Sequence, residues 1–292
     1  MEITCIATDM DGTLLNENRK ISEESKKAIF LAKEAGIDIV IATGRSPEFA
    51  RVPLQESGIE LPVICMNGAQ IYSEKMERLF SKQLETKEIE KVSQILTEKQ
   101  VYFEFYTNQG HYSFNQDLAL LTLKEMIEFE KIHSFDKNDI LKLVKERFKK
   151  GNVTFLSGLN ELFQVPNLEI YKIIAFSMDM DRLKQIMELL SENENIAVTS
   201  SGPGNIEVTH VHAQKGLALE WFVQSKGCSL DGTMAIGDSF NDLSMLKRVA
   251  YPVAMGNAPE ELKKIARYIT DTNRNEGFAK AVYKILDEKL KR

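Results

Sequence analysis

At 292 residues, 43% apolar and 27% charged, the chain suits two domains of ordinary size and has the makeup of a soluble globular protein. A formal net charge of −6 argues against general affinity for nucleic acid and means that an anionic ligand must be held by local cations. No apolar run reaches membrane-spanning length, and the N-terminus lacks a signal-peptide pattern. The three cysteines (Cys5, Cys65, Cys228) fit neither a disulfide framework nor a zinc knuckle, so a reduced, cytoplasmic protein is expected.

In chain order, Ile3 to Thr8 is a short apolar run of the kind that forms a strand buried on both faces, and it stops at Asp9-Met10-Asp11-Gly12-Thr13. Ser22 with Glu23 and Glu24 predicts a helix start, and Gly36 its stop. Residues 37–42 predict a second strand, ending in Thr43-Gly44-Arg45. A helix capped by Ser46 with Pro47 in its first position runs to Gly58, and a third strand spans 62–66. Strand alternating with helix implies right-handed crossovers and a parallel sheet.

From about Gln70 the rhythm changes. A hairpin at 71–80 precedes a helix at 86–99 and strands at 101–107 and 111–114. Helices at 117–132 and 138–150 lead to strands at 153–156 and 169–177. A helix after Asp181 and strands at 196–200 and 206–209 complete an α+β insertion. The first rhythm then returns: helix 215–226, strand 233–236, helix 243–249, strand 251–254, a helix from Glu260, a short strand at 268–270 and a last helix after Gly277. The expected architecture is an α/β, Rossmann-like parallel-sheet core made from 1–82 and 210–292, with 83–209 inserted as an α+β cap.

The chemistry is concentrated where the core strands end. Two carboxylates one residue apart at the carboxyl edge of a strand repel each other unless a cation or a shared proton intervenes, which suggests a magnesium site with a reactive carboxylate. An EF-hand loop also begins D-x-D, but it needs an acid or Asn where Thr13 stands and Gly where Leu14 stands, and a helix before it. A solvated acidic turn remains the plain alternative for this stretch alone. Thr43-Gly44 offers a hydroxyl and a backbone N–H at a second strand end, and Lys215 opens a helix. Gly237-Asp238-Ser239-Phe240-Asn241-Asp242 is a second acidic turn after an apolar strand.

Asp9-Met10-Asp11-Gly12-Thr13-Leu14-Leu15 resembles the first motif of the haloacid dehalogenase-like hydrolases. Thr43, Lys215 and Gly237–Asp242 match the remaining three motifs in the family's order. The insertion after Asn67-Gly68-Ala69, with Met255-Gly256-Asn257-Ala258 and Asn275-Glu276-Gly277-Phe278, resembles the Cof-type subfamily with a C2B cap. The resemblance implies Asp9 as nucleophile and a Mg2+ ion held by Asp9, the Asp11 backbone carbonyl and Asp238. It makes the Asp11 side chain the general acid and base. Lys215 would offset charge, Met10, Thr43, Gly44 and Lys215 would bind phosphate, and Asn241 would touch phosphate or orient Lys215. Asp242 would stand behind the metal ligands. Asp11 itself favours phosphatases and phosphomutases over the cation-pumping ATPases, which carry Thr at that place, and over dehalogenases, which lack the second Asp.

Arg45 is open between substrate contact and a structural ion pair. His210 and His212 depart from the subfamily pattern and read either as a metal pair or as a surface or hinge pair. Asn275-Glu276 replaces a commoner Asp-Gly ending. The implied activity is hydrolysis of a small phosphorylated metabolite, a sugar phosphate or a nucleotide, flavin or pyridoxal phosphate, with no nucleic acid or membrane partner. The alternatives are a phosphomutase and a non-catalytic metabolite-binding regulator. No motif names the substrate, and aromatics such as Tyr171 and Phe163 are not assigned to it.

Overall fold

In a computed structural model of the chain, which describes residues 2–129 and 153–290, the run after Ile3 forms β1 (Cys5–Thr8) with every residue buried. The Ser22 hydroxyl accepts from the N–H of Ser25 at 3.0 Å, caps the helix Glu23–Glu34 and sets two acids against its positive end. β2 (Asp38–Ala42) follows, buried beyond Asp38. The helix Pro47–Ser57 starts on its proline and ends at Gly58 in the left-handed conformation. β3 (Val63–Cys65), β4 (Gln70–Tyr72) and β5 (Arg78–Ser81) complete this half. The expected hairpin is β4–β5, and it joins the core sheet as an antiparallel edge.

The chain divides into two compact units, Met1–Ser81 with Ala213–Arg292, and Lys82–His212. The second unit runs through the helix Thr86–Glu98, β6 (Tyr102–Thr107), β7 (Gly110–Ser113), the helix Gln116–Phe129 and β8 (Val153–Phe155). It continues with the helix Leu159–Phe163, β9 (Ile170–Phe176), the helix Met180–Ser191, β10 (Ile196–Thr199) and β11 (Asn205–His210). The helix Leu159–Phe163 was not expected: at five residues it is too short for a 3.6-residue period to show. The expected helix at 138–150, and the end of the one at 117–132, lie outside the described residues.

Among the described residues of this unit six strands lie in the order β10-β11-β9-β6-β7-β8, antiparallel except for β7 with β8. Alternation sorts their side chains. Phe103, Phe105, Ile173, Ala175, Ile206 and Val208 share a cluster with Ile89, Val92 and Leu96 of one helix and Leu183, Ile186 and Leu190 of another. The opposite face carries Tyr102, Ile174 and Phe176 against Ala119. It also holds a buried ion pair, Lys172 Nζ to Glu207 Oε1 at 3.0 Å.

The helix Lys215–Ser225 returns the chain to the first unit, where β12 (Thr233–Gly237), the single-turn helix Leu243–Leu246, β13 (Tyr251–Ala254), the helix Glu260–Ile265, β14 (Tyr268–Ile269) and the helix Gly277–Leu290 follow. The helix expected at 243–249 stops at Leu246. The eight-stranded sheet has the order β14-β13-β12-β1-β2-β3-β4-β5 and is parallel from β14 to β3. From β1 the chain winds outward through β2 and β3, and from β12 it winds the other way through β13 and β14. The β1/β12 boundary is therefore a topological switch point, where open α/β sheets leave a crevice at the strands' carboxyl ends. On one face Ala7, Val40 and Ala235 pack against Leu219, Phe222 and Met245. The helices Glu23–Glu34 and Gly277–Leu290 are joined by Tyr283 Oη to Glu24 Oε1 at 2.6 Å and Lys289 Nζ to the Ala35 carbonyl at 2.9 Å. Cys5 and Cys65 are buried within the strands, where burial pushes both thiols up, away from the reactive thiolate. Among the described residues no helix is long and apolar enough to cross a membrane.

The helix Lys215–Ser225 lies so close to Leu243–Leu246 that a Cβ on Gly216 would stand 2.1 Å from the Ser244 carbonyl oxygen. Gly216→Ala is expected to destabilise the protein by about 1–3 kcal/mol, the usual cost of overpacking. Urea unfolding followed by circular dichroism checks it, an unchanged midpoint being the contrary result.

Candidate active site

The register of the central strands brings the acids together. Cys5 to Thr8 pair with Thr233 to Ile236, and the Asp9 N–H continues the ladder to the Ile236 carbonyl at 2.9 Å. Asp9 thus leaves β1 one residue before Asp238 leaves β12. Beyond Asp9 the chain turns tightly over Met10–Leu14, with Gly12 at φ +78°. A Cβ on Gly12 would lie 2.4 Å from Asp238 Oδ2, so the backbone approaches the carboxylate as only glycine allows.

Asp9, Asp238 and Asp242 bring one carboxylate oxygen each within 4.8 Å of one another. Lys215, the first residue of its helix, donates from Nζ to Asp9 Oδ1 at 2.6 Å and to Asp242 Oδ1 at 2.7 Å. Lys215 and Asp242 are 0% exposed and Asp9 is 5% exposed, so the attraction acts where water screens it least. The other oxygen of Asp242 accepts from the N–H groups of Asp238 and Ser239, both at 2.9 Å. Both oxygens of Asp242 are therefore engaged by protein donors, and it holds Lys215 and the acidic turn in place. Asp9 keeps Oδ2 outside the lysine contact. Asp238 takes a 2.7 Å bond from Thr13 Oγ1 and a 3.3 Å bond from Asn257 Nδ2. Asn257 also donates to the Gly12 carbonyl at 2.9 Å and accepts from the Asn273 N–H.

The charge balance follows. Burial raises the Asp9 carboxyl well above the usual range, Lys215 opposes this, and Asp242, Asp238 and Asp11 add to it. Burial alone would lower the Lys215 ammonium, but Asp242 and Asp9 outweigh it and keep the lysine charged. Asp238 is pushed up to about 7, chiefly by burial and then by Asp242, against the Thr13 hydrogen bond. Three carboxylates against one ammonium leave an excess of negative charge on hard oxygens, the donor set that suits a small divalent cation.

The other expected residues lie around this group. Thr43 is buried just past β2, its N–H on the Ile64 carbonyl at 2.8 Å and its Oγ1 accepting from the Arg45 N–H at 3.2 Å. Gly44 lies in the same loop and Met10 is fully buried in the turn. Asn241 donates to Asn67 Oδ1 at 3.2 Å and not to Lys215, and its own Oδ1 is buried without a hydrogen-bond partner. Asp11 points away from the buried group: its side chain is 53% exposed and both oxygens accept from Arg45, at 2.6 and 2.5 Å. Of the two readings of Arg45, the ion pair is the one present.

Thr13, Asn67 and Asn257 were given no role from the sequence, yet Thr13 and Asn257 bond to Asp238 and Asn67 accepts from Asn241. All three follow the carboxyl ends of core strands, and that position was the available signal. His210 ends β11 and is buried, whereas His212 lies beyond the strand and is exposed. The His212 N–H donates to His210 Nδ1 at 3.0 Å, which occupies that nitrogen in a local turn. Burial, Lys82 and His212 lower the His210 imidazole, with Glu85 and Glu88 opposing. Among the described residues the three aspartates are the one group of three or more potential ligands.

The family described as haloacid dehalogenase-like hydrolase matches residues 6–282. The 5-amino-6-(5-phospho-D-ribitylamino)uracil phosphatase YwtE of Bacillus subtilis (strain 168) is 34% identical over 284 residues, 97% of this chain and 98% of the relative. Phosphatase YwpJ of the same organism is 30% identical over 279 residues, 94% and 96% of the two chains. A solved haloacid dehalogenase-like hydrolase from B. subtilis superposes with a TM-score of 0.84 at 28% identity, over 96% of this chain and 99% of that one. The chain belongs to the haloacid dehalogenase-like hydrolases, and its homologues are Cof-type phosphatases. It is accordingly an enzyme of the phosphoric monoester hydrolase class.

Asp238 gives the metal-free protein a signed pH dependence. Unfolded, the carboxyl titrates near its ordinary value, about 4; folded, it titrates at about 7. Below pH 4 both states hold the proton. Between 4 and 7 only the folded state does, so stability falls as pH rises through that window. In chelator, the melting temperature is expected to drop from pH 5 to pH 7.5, and Asp238→Asn to melt higher at pH 8 with a shallower slope. Equal slopes for the two proteins would contradict the assignment.

Proposed function

We propose that the protein is a Mg2+-dependent phosphatase of small phosphorylated metabolites that works through a phospho-aspartyl intermediate on Asp9. The observation that carries this reading is the buried Lys215 shared by Asp9 and Asp242, beside Asp238 on the neighbouring strand end. Asp9, Asp238 and the Asp11 backbone carbonyl are the groups that would hold Mg2+, which when bound supplies positive charge to a phosphoryl oxygen.

Asp9 attacks phosphorus with a carboxylate oxygen, and the ester oxygen leaves with a proton from the Asp11 side chain. A water then attacks the phosphorus of the acyl phosphate and gives its proton to Asp11. Inorganic phosphate departs and the Asp9 carboxylate is restored. Lys215 lowers the electrostatic cost of bringing an anionic substrate to an anionic nucleophile. The Thr43 hydroxyl, the N–H groups of Met10 and Gly44 and the Asn241 amide hold the remaining phosphoryl oxygens. Asp242 fixes Lys215, and Thr13 and Asn257 fix Asp238. Splitting the reaction in two matters because phosphate monoesters need acceleration of up to about 10²¹-fold.

The inserted unit is assigned the choice of leaving group. The first substrate to try is the phosphoribitylaminouracil in the name of the relative at 34% identity, beside sugar phosphates. An enzyme of small soluble metabolites with its three cysteines unpaired fits the cytoplasm.

Purified protein is expected to release phosphate from such a panel with Mg2+ and not with chelator. Asp9→Asn is expected to lose at least about 10³-fold in kcat and Asp11→Asn about 10²–10⁴-fold. Acid quench during turnover is expected to trap a hydroxylamine-labile phosphoprotein that Asp9→Asn cannot form. Turnover that survives in Asp9→Asn would overturn the reading.

A further inference from the structure

Asp11 is the one acid of the group that lies outside the buried cluster, and it is fully engaged. Arg45 donates from Nε to Asp11 Oδ2 at 2.6 Å and from Nη2 to Oδ1 at 2.5 Å, while its Nη1 donates to the Phe49 carbonyl at 3.1 Å. The backbone beneath is fixed, with the Arg45 N–H on Thr43 Oγ1 at 3.2 Å and the Arg45 carbonyl accepting from the Met66 N–H at 3.0 Å. The arginine is thus rooted in the same loop as Thr43, and its guanidinium spans from that loop to Asp11 in the turn that follows the nucleophile.

A carboxylate with both oxygens on a guanidinium fork is held in one direction, here toward Arg45. It cannot pass a proton to a leaving group while the fork is closed. The pair is weakly held, because Asp11 is half exposed and water screens it. A phosphate dianion offers the fork the same bidentate geometry with more charge.

We propose that Arg45 changes partners during turnover: it holds Asp11 in the empty site and moves to the phosphorylated substrate in the filled one, freeing Asp11 only when a substrate is bound. Arg45 is then both a substrate clamp and a positioning residue for the general acid. The inference rests on the phosphatase reading, since it needs Asp11 to act on the bound ester.

The competition between Asp11 and phosphate for one guanidinium is measurable without turnover. Inorganic phosphate binding to the Mg2+-loaded protein is followed by calorimetry in wild type, Arg45→Met, Asp11→Asn and the double variant. Arg45→Met is expected to weaken phosphate at least 10-fold. Asp11→Asn, which releases the fork, is expected to tighten it about 5-fold. In the Arg45→Met background the Asp11→Asn effect is expected to shrink below 2-fold. In steady-state hydrolysis Arg45→Met is expected to raise KM with kcat changed less than 5-fold, and Arg45→Lys to recover part of the loss.

Equal tightening by Asp11→Asn in both backgrounds would mean a charge effect without exchange and would overturn the proposal. Phosphate affinity unchanged by Arg45→Met would overturn it as well. A wild type that neither binds phosphate nor hydrolyses esters with Mg2+ would instead defeat the phosphatase reading itself, so the two failures are distinguishable.

Discussion

A single buried ammonium organises the site. Lys215 has no exposed surface and is held by two carboxylates from different parts of the chain, Asp9 at the end of β1 and Asp242 in the turn after β12. Desolvating such groups is costly, and removing one partner of a buried pair typically costs about 3–5 kcal/mol because the other charge is stranded. The arrangement is therefore weak evidence of stabilisation and strong evidence of placement. It ties the start of one helix to two strand ends, and Asp242 extends the grip by receiving the N–H groups of Asp238 and Ser239. Asp9 and Asp238 stay near each other, against their repulsion, because neither can drift without breaking this frame.

The sheet does the rest by register. β1 and β12 are parallel neighbours, aligned so that Asp9 and Asp238 emerge almost level, and β2 delivers Thr43 on the other flank. The switch in winding direction falls between β1 and β12, the place where open α/β sheets bind ligands at their strand ends. The turn after β1 can fold down over Asp238 only because residue 12 has no side chain. Fold and chemistry thus meet in backbone constraints that a sequence can carry in few letters.

That explains which parts were legible. The core strands are short, apolar and punctuated by acids or by Thr-Gly, so the parallel sheet and its strand-end residues could be read directly. The polar neighbours were harder to see. Thr13, Asn67 and Asn257 are ordinary turn residues by type, and only the parallel stacking of the core strands brings Thr13 and Asn257 to Asp238 and Asn67 to Asn241. The partner of Arg45 was undecidable from sequence because 34 residues separate it from Asp11, and nothing local specifies which anion it meets. The His210–His212 spacing suggested a shared strand face, but β11 ends at His210 and the pair becomes a turn contact. The short helix Leu159–Phe163 escaped because one and a half turns carry no period.

The adjacency of β1 and β12 also bears on how the molecule comes into being. Thr4 and Gly232 touch across 228 residues of chain, so the innermost pair of the core sheet closes a very long loop. During synthesis the segment Lys82–His212, whose described strands pair among themselves, is made before β12 exists. Until β12 emerges, the newborn chain carries the apolar strand β1 with one edge unpaired. The interval before β12 is made is thus the one in which that edge of β1 is open to pairing with another chain.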